Sequence, residues 1–113
     1  DNPAVQKQSS GPNQSSGSEA FANQVGDNNA AEQDQTGSHN YASVYQTGNG
    51  NESNETQVTT TDDPAICNIS TGNQVGNDNK SCVDQYSDMG NNCNLVNQIG
   101  NDNQSKVNQN AYA

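Results

Sequence analysis

Residues 24–57 read QVGDNNAAEQDQTGSHNYASVYQTGNGNESNETQ, and the stretch repeats itself every eleven positions. Gln24, Gln35, Gln46 and Gln57 recur at that interval, as do Gly26, Gly37 and Gly48, and Asn29, Asn40 and Asn51. Ala31, Ala42 and Ser53 follow the same spacing. A fixed short period marks an array of like units, none able to bury its face alone. This outranks composition, which by itself points to disorder: 27% hydrophobic residues, no Trp, three Lys, no Arg and a net charge of −10.

Aligned on the seven-residue unit N-x-A-x-x-x-Q, the chain holds nine copies, at 2–8, 18–24, 29–35, 40–46, 51–57, 68–74, 79–85, 92–98 and 103–109. Within each unit, positions 1, 3, 5 and 7 are restricted to Asn, a small residue, often Val, and Gln, while the even positions vary freely. Restriction with a period of two predicts a β-strand with one buried face. Unit 2–8 is the least regular, because Pro3 has no N–H for a ladder.

The connecting V-G-D-N, T-G-S-H, T-G-N-G, V-G-N-D and I-G-N-D segments predict four-residue arcs, with Gly26, Gly37, Gly48, Gly76 and Gly100 supplying unusual dihedrals. Strand and arc in alternation predict an all-β solenoid: strand-arc-strand coils, about nine half-turn units, and two facing parallel sheets. The longer arcs 9–17, 58–67 and 86–91 all lead from an odd to an even unit. Insertions on one edge of a stack fit that phase. The chain divides into an N-terminal segment 1–17 (a first strand with a long arc, or an export leader-like stretch), a solenoid over 18–109 and a tail over 110–113.

The interior is then narrow and polar, with Val44, Val83, Val96 and Val107 as a thin apolar seam. Buried amides without partners are costly. Stacked amides of identical rungs can satisfy one another. The expected ladder comprises Gln24, Asn29, Gln35, Asn40, Gln46, Asn51, Gln57, Asn68, Gln74, Asn79, Gln85, Asn92, Gln98, Asn103 and Gln109. Such a ladder needs the same group on every rung, which accounts for the strict period. Glu55 breaks it, and its inward carboxyl has to be protonated, solvated or paired.

The form Q-x-G-x-x-N-x-A-x-x-x-Q, intact at 24–35 and 35–46 and carrying Ser for Ala at 46–57, 74–85 and 98–109, resembles the curlin repeat family of bacterial curli fibres. The resemblance covers about residues 18–109. It implies a secreted, extracellular, cell-surface subunit that folds as a β-solenoid and polymerises into a functional amyloid of the biofilm matrix, with roles in adhesion. Cys67, Cys82 and Cys93 are unusual for that family.

Competing readings are weaker. His39 is the lone histidine and sits in a turn without patterned acids or thiols, so no catalysis and no cofactor or metal is expected. The acidic balance argues against nucleic acid, and no apolar run suits membrane insertion. The alternative is a soluble secreted β-solenoid. An ice-binding form would need ranked outward Thr, and a calcium β-roll a denser G-G-x-G-x-D pattern.

Three further expectations concern assembly. Open terminal units predict head-to-tail pairing of the chain with itself, the half-filled last coil being completed by 2–8 of the next copy or by the tail Asn110–Ala113. In an extracellular setting Cys67 and Cys93, one rung apart, form a candidate disulfide. Phe21, Tyr41, Tyr45, Ile69 and Leu95 fall on the outer face of the even units, and Lys7, Glu32, Asp34, Glu52, Lys80, Asp84 and Lys106 on that of the odd units. The even face is the expected surface for lateral bundling.

Overall fold

The computed structural model describes residues 1–9 and 17–112. It is built from nine strands: β1 (Ala4–Ser9), β2 (Glu19–Val25), β3 (Ala30–Thr36), β4 (Asn40–Thr47), β5 (Glu52–Thr59), β6 (Asn68–Val75), β7 (Lys80–Ser87), β8 (Asn92–Ile99) and β9 (Gln104–Ala111). Odd strands form a five-stranded sheet in the order β1-β3-β5-β7-β9, and even strands a four-stranded sheet in the order β2-β4-β6-β8. Every pairing is parallel. The molecule is therefore the two-sheeted β-solenoid that the alternation of restricted positions implies.

Register follows the repeat. Gln35 stands beside Gln57, and Gln57 beside Gln85, in one sheet. Gln46 stands beside Gln74, and Gln74 beside Gln98, in the other. A one-residue slip would turn every restricted side chain out to water, so the pattern fixes the register. Inward residues are buried and outward ones largely exposed in alternation along the strands, as in β4 and β8.

The core is mostly polar. Ala31, Ala42, Val44, Val83 and Val96 are its buried apolar residues, while Gln33, Gln35, Gln57, Asn29, Asn40 and Asn51 are among the fully buried polar ones. Odd strands also run further than their seven-residue units. Val58 and Thr59 pair with Tyr86 and Ser87, which pair in turn with Asn110 and Ala111. The long arcs thus begin later than the spacing implies, and the first two residues of the tail belong to β9. The exception at Pro3 is harmless. It precedes β1, where its carbonyl accepts the Ala31 N–H at 3.1 Å and its missing donor costs nothing.

Candidate assembly surfaces

The interior surfaces are two sets of amide ladders. Along the glutamines, each Nε2 donates to the Oε1 of the next rung: Gln8 to Gln35, Gln35 to Gln57, Gln57 to Gln85 and Gln85 to Gln109, at 2.8–2.9 Å. Gln24 donates to Gln46, Gln46 to Gln74 and Gln74 to Gln98 in the same way at 2.8 Å in the even sheet. The second amide hydrogen crosses to the facing sheet, where Gln35, Gln57 and Gln85 donate to the carbonyls of Glu19, Tyr41 and Ile69 at 2.7–3.0 Å. Each glutamine therefore stitches rung to rung and sheet to sheet.

Asparagines run the other way. Nδ2 of Asn51, Asn79 and Asn103 donates to Oδ1 of the preceding rung, Asn29, Asn51 and Asn79, at 2.8–3.0 Å. Asn68 and Asn92 do likewise toward Asn40 and Asn68. Ser18, in the Asn place, keeps one bond of the series, since its Oγ accepts the Asn40 N–H at 3.2 Å.

The short arcs stack as tightly as the strands. Gly26, Gly48, Gly76 and Gly100 have φ of 110–121°. A Cβ on Gly48 or Gly76 would lie 1.9 Å from the carbonyl oxygen of the next rung's glycine. Glycine is required there for both reasons. Gly37 shares the conformation at φ 94°. A third column was not anticipated from the sequence. Oδ1 of Asn49, Asn77 and Asn101 accepts the backbone N–H of Asp27, Asn49 and Asn77 at 2.9–3.0 Å. Its signal was the shared third place of these residues in their arcs. The fourth arc residue is left-handed in Asn28, Asp78 and Asp102, residue types that tolerate it.

Glu55 lies inward and is 2% exposed. It accepts hydrogen bonds from Ser70 Oγ at 2.9 Å and Gln33 Nε2 at 3.3 Å. Burial pushes its pKa up to about 7 against the pull of those two donors. Gly72 makes the room. A Cβ there would come within 3.3 Å of Glu55 Oε1, whereas Val44 and Val96 occupy the same row beside it.

The two outer faces differ. On the even sheet Phe21, Tyr41, Tyr45, Ile69 and Leu95 are exposed, and the Phe21 and Tyr45 rings meet at 5.5 Å. The odd sheet carries the ion pairs Lys7–Glu32 at 3.2 Å and Lys80–Glu52 at 2.9 Å. The second pair holds the Glu52 carboxyl below its ordinary pKa. At such exposure each pair contributes little to stability.

The expected Cys67–Cys93 disulfide is corrected by the structure, in which Cys67, Cys82 and Cys93 are free thiols. Register explains it. Cys93 stands beside Ile69 on the outer face, whereas Cys67 precedes β6 and its carbonyl accepts the Asn92 N–H at 3.2 Å. His39 turns at φ 57° with its ring against Gly17. Among the described residues no cluster of three His, Cys, Asp or Glu is placed to hold a metal, and no helix is long and apolar enough to cross a membrane.

Strand-arc-strand coils, Gln and Asn ladders and stacked glycine arcs together define a repetitive β-solenoid. The family model described as curlin associated repeat matches residues 16–48 and 26–58. The chain thus carries the curlin repeat, and the same rungs continue through β6, β7, β8 and β9. No curated protein and no solved structure matches the chain.

Proposed function

We propose that the protein is a structural subunit of an extracellular, curli-like amyloid fibre, polymerising head-to-tail to build biofilm matrix and support adhesion. The carrying observation is the state of the end strands. All six residues of β1 are exposed, and the inward residues of β9 are half-buried where those of β7 are buried. Open edges with unspent backbone and amide groups template pairing with another chain. The apolar even face serves lateral pairing of fibres, and the charged odd face keeps them hydrated. The curlin repeat supports this reading over a soluble solenoid.

The test is to incubate the purified chain and follow it by electron microscopy and fibre diffraction. Fibres with a meridional spacing of about 4.7–4.8 Å are expected. A stable monodisperse monomer would overturn the proposal. Replacing Tyr41, Tyr45 and Leu95 with Ser should leave single fibres intact and reduce bundling. Unchanged bundling would remove the lateral role.

A further inference from the structure

The last coil is half built. Beside β9, along the free edge of β8, lies an open shelf of about 580 Å³ lined by Leu95, Val96, Gln98, Ser105 and Val107. We propose that this shelf docks β1 of a second copy of the chain, which enters as a tenth strand after a half-turn about the stacking axis. The inference deepens the fibre reading and rests on it.

Geometry favours the half-turn. Each strand climbs half a rung past its predecessor in the facing sheet: Gln98 of β8 reaches back to the Lys80 carbonyl of β7, and Gln109 of β9 to the Cys93 carbonyl of β8, both at 3.0 Å. With five strands in one sheet and four in the other, a copy that continues the climb sets its β1 on β8 and its β2 on β9. Its five-stranded sheet then extends the first copy's four-stranded sheet. Parallel pairing survives, because a half-turn carries one sheet's strand direction into the other's. Without the half-turn, β1 would sit on β9 and β2 two rungs beyond β8. Every junction would then hold a gap one strand wide, facing Val107. The chain's own end does not fill the shelf, since β9 continues along β7 to Ala111 and the Tyr112 ring lies 5.7 Å from that of Tyr86.

Unspent groups match. In every earlier rung of the even sheet glutamine donates to the next glutamine, and Gln98 has no next rung to receive its second hydrogen. The incoming Gln8 supplies an Oε1 at that place. Asn92 Oδ1, like Asn68 Oδ1 one rung earlier, is set to accept from an incoming Asn2.

Surface chemistry selects the same docking. With Asn2 on Asn92 and Gln8 on Gln98, Val5 lands beside Leu95, and these are 45% and 71% exposed in the single chain. On β9 it would land beside Lys106. The second copy's β2 also brings Phe21 beside Lys106, with Glu19 two residues earlier. That is the diagonal by which Lys7, standing beside Asp34, bonds Glu32. Among the described residues Lys106 has no ion pair of its own.

One consequence is that the apolar face alternates between the two sides of the fibre, subunit by subunit. Cryo-electron microscopy of fibres grown from the 113-residue chain tests it. The expected symmetry is a half-turn, modified by sheet twist, with a rise of about 22 Å for nine half-rungs at about 4.8 Å per rung. A rise of about 24 Å without the half-turn overturns the inference and leaves the fibre reading standing. A chain that never forms fibres overturns the fibre reading itself. In fibres of a Cys67→Ser, Cys82→Ser, Cys93→Ser background, Val5→Cys with Leu95→Cys should oxidise to intermolecular disulfides. Val5→Cys with Lys106→Cys should not. The reverse pattern, or no cross-link in the first pair, sinks the half-turn docking.

Discussion

The two edges of the solenoid are built on opposite principles. Arcs 25–28, 47–50, 75–78 and 99–102 share one length and one conformation, with N–H to carbonyl bonds of 2.9 Å from Gly48 to Val25, Gly76 to Thr47 and Gly100 to Val75. The opposite edge holds arcs of unequal length. Its contacts are individual, such as Cys67 N–H to Asn91 Oδ1 at 2.8 Å and Thr60 Oγ1 to Asp88 Oδ1 at 2.7 Å. One edge acts as the hinge side of the stack and sets register. The other closes each coil and is free to vary. Uniformity is thus needed on only one side, since a strand whose start is fixed carries its register to its far end.

The largest expected effect lies on the uniform edge. Gly76→Ala combines a forbidden φ with a collision against the Gly100 carbonyl and should cost at least about 3 kcal/mol in chemical denaturation. Gly90→Ala on the variable edge, with no positive φ and only the Ala111 methyl to displace, should cost far less. Equal losses would break the comparison.

Glu55 belongs to neither edge and supplies a control of similar size. Its folded pKa of about 7 lies above the ordinary glutamate value of 4.5, so the folded state binds the proton more tightly. The stability that Glu55 contributes is therefore fully present below about pH 4.5, is lost as pH rises toward 7 and is level above it, a loss of roughly 3 kcal/mol. Glu55→Gln should flatten that dependence in melts across pH and raise stability at neutral pH. Edge variants made on either background should then keep their ranking.

A finer comparison pairs Asn77→Ala with Asn91→Ala. Each removes one acceptor of a backbone N–H, worth about 1 kcal/mol. If the uniform edge sets register, amide exchange after Asn77→Ala should rise in the neighbouring rungs, whereas after Asn91→Ala it should rise only near Cys67. The smallest effect is expected from two residues inserted among 61–65, less than about 1 kcal/mol. The same insertion in 75–78 should be severe.

Much of this was legible in the sequence because the period of two and the period of the repeat act together. Parity alone decided that Val44 points in and Tyr45 out. The alternation of strand and arc decided which strands share a sheet, and the position of the insertions supported that phase. What escaped depends on contacts that spacing does not encode. The second hydrogen of each Gln amide finds a carbonyl across the interior, which no alignment of rungs displays. Glu55 stood out as an anomaly, yet its complement Gly72 lies in the other sheet, where no spacing along the chain pairs the two. The Cys67–Cys93 pairing failed because adjacency of rungs does not place two side chains side by side when one residue lies before its strand and the other within it.

The opposed senses of the Gln and Asn ladders bear on how far such a stack can extend. An α-helix aligns its amides and accumulates a macrodipole along its axis. Here each unit that holds both residues contributes one inward amide pointing up the axis and one pointing down, as with Gln57 toward Gln85 and Asn51 toward Asn29. Their axial dipoles nearly cancel rung by rung, so adding rungs builds up no side-chain polarisation at the ends. Each ladder can still gain from cooperative hydrogen bonding along its own length, and a long stack of these coils accumulates no axial amide dipole that a short one avoids.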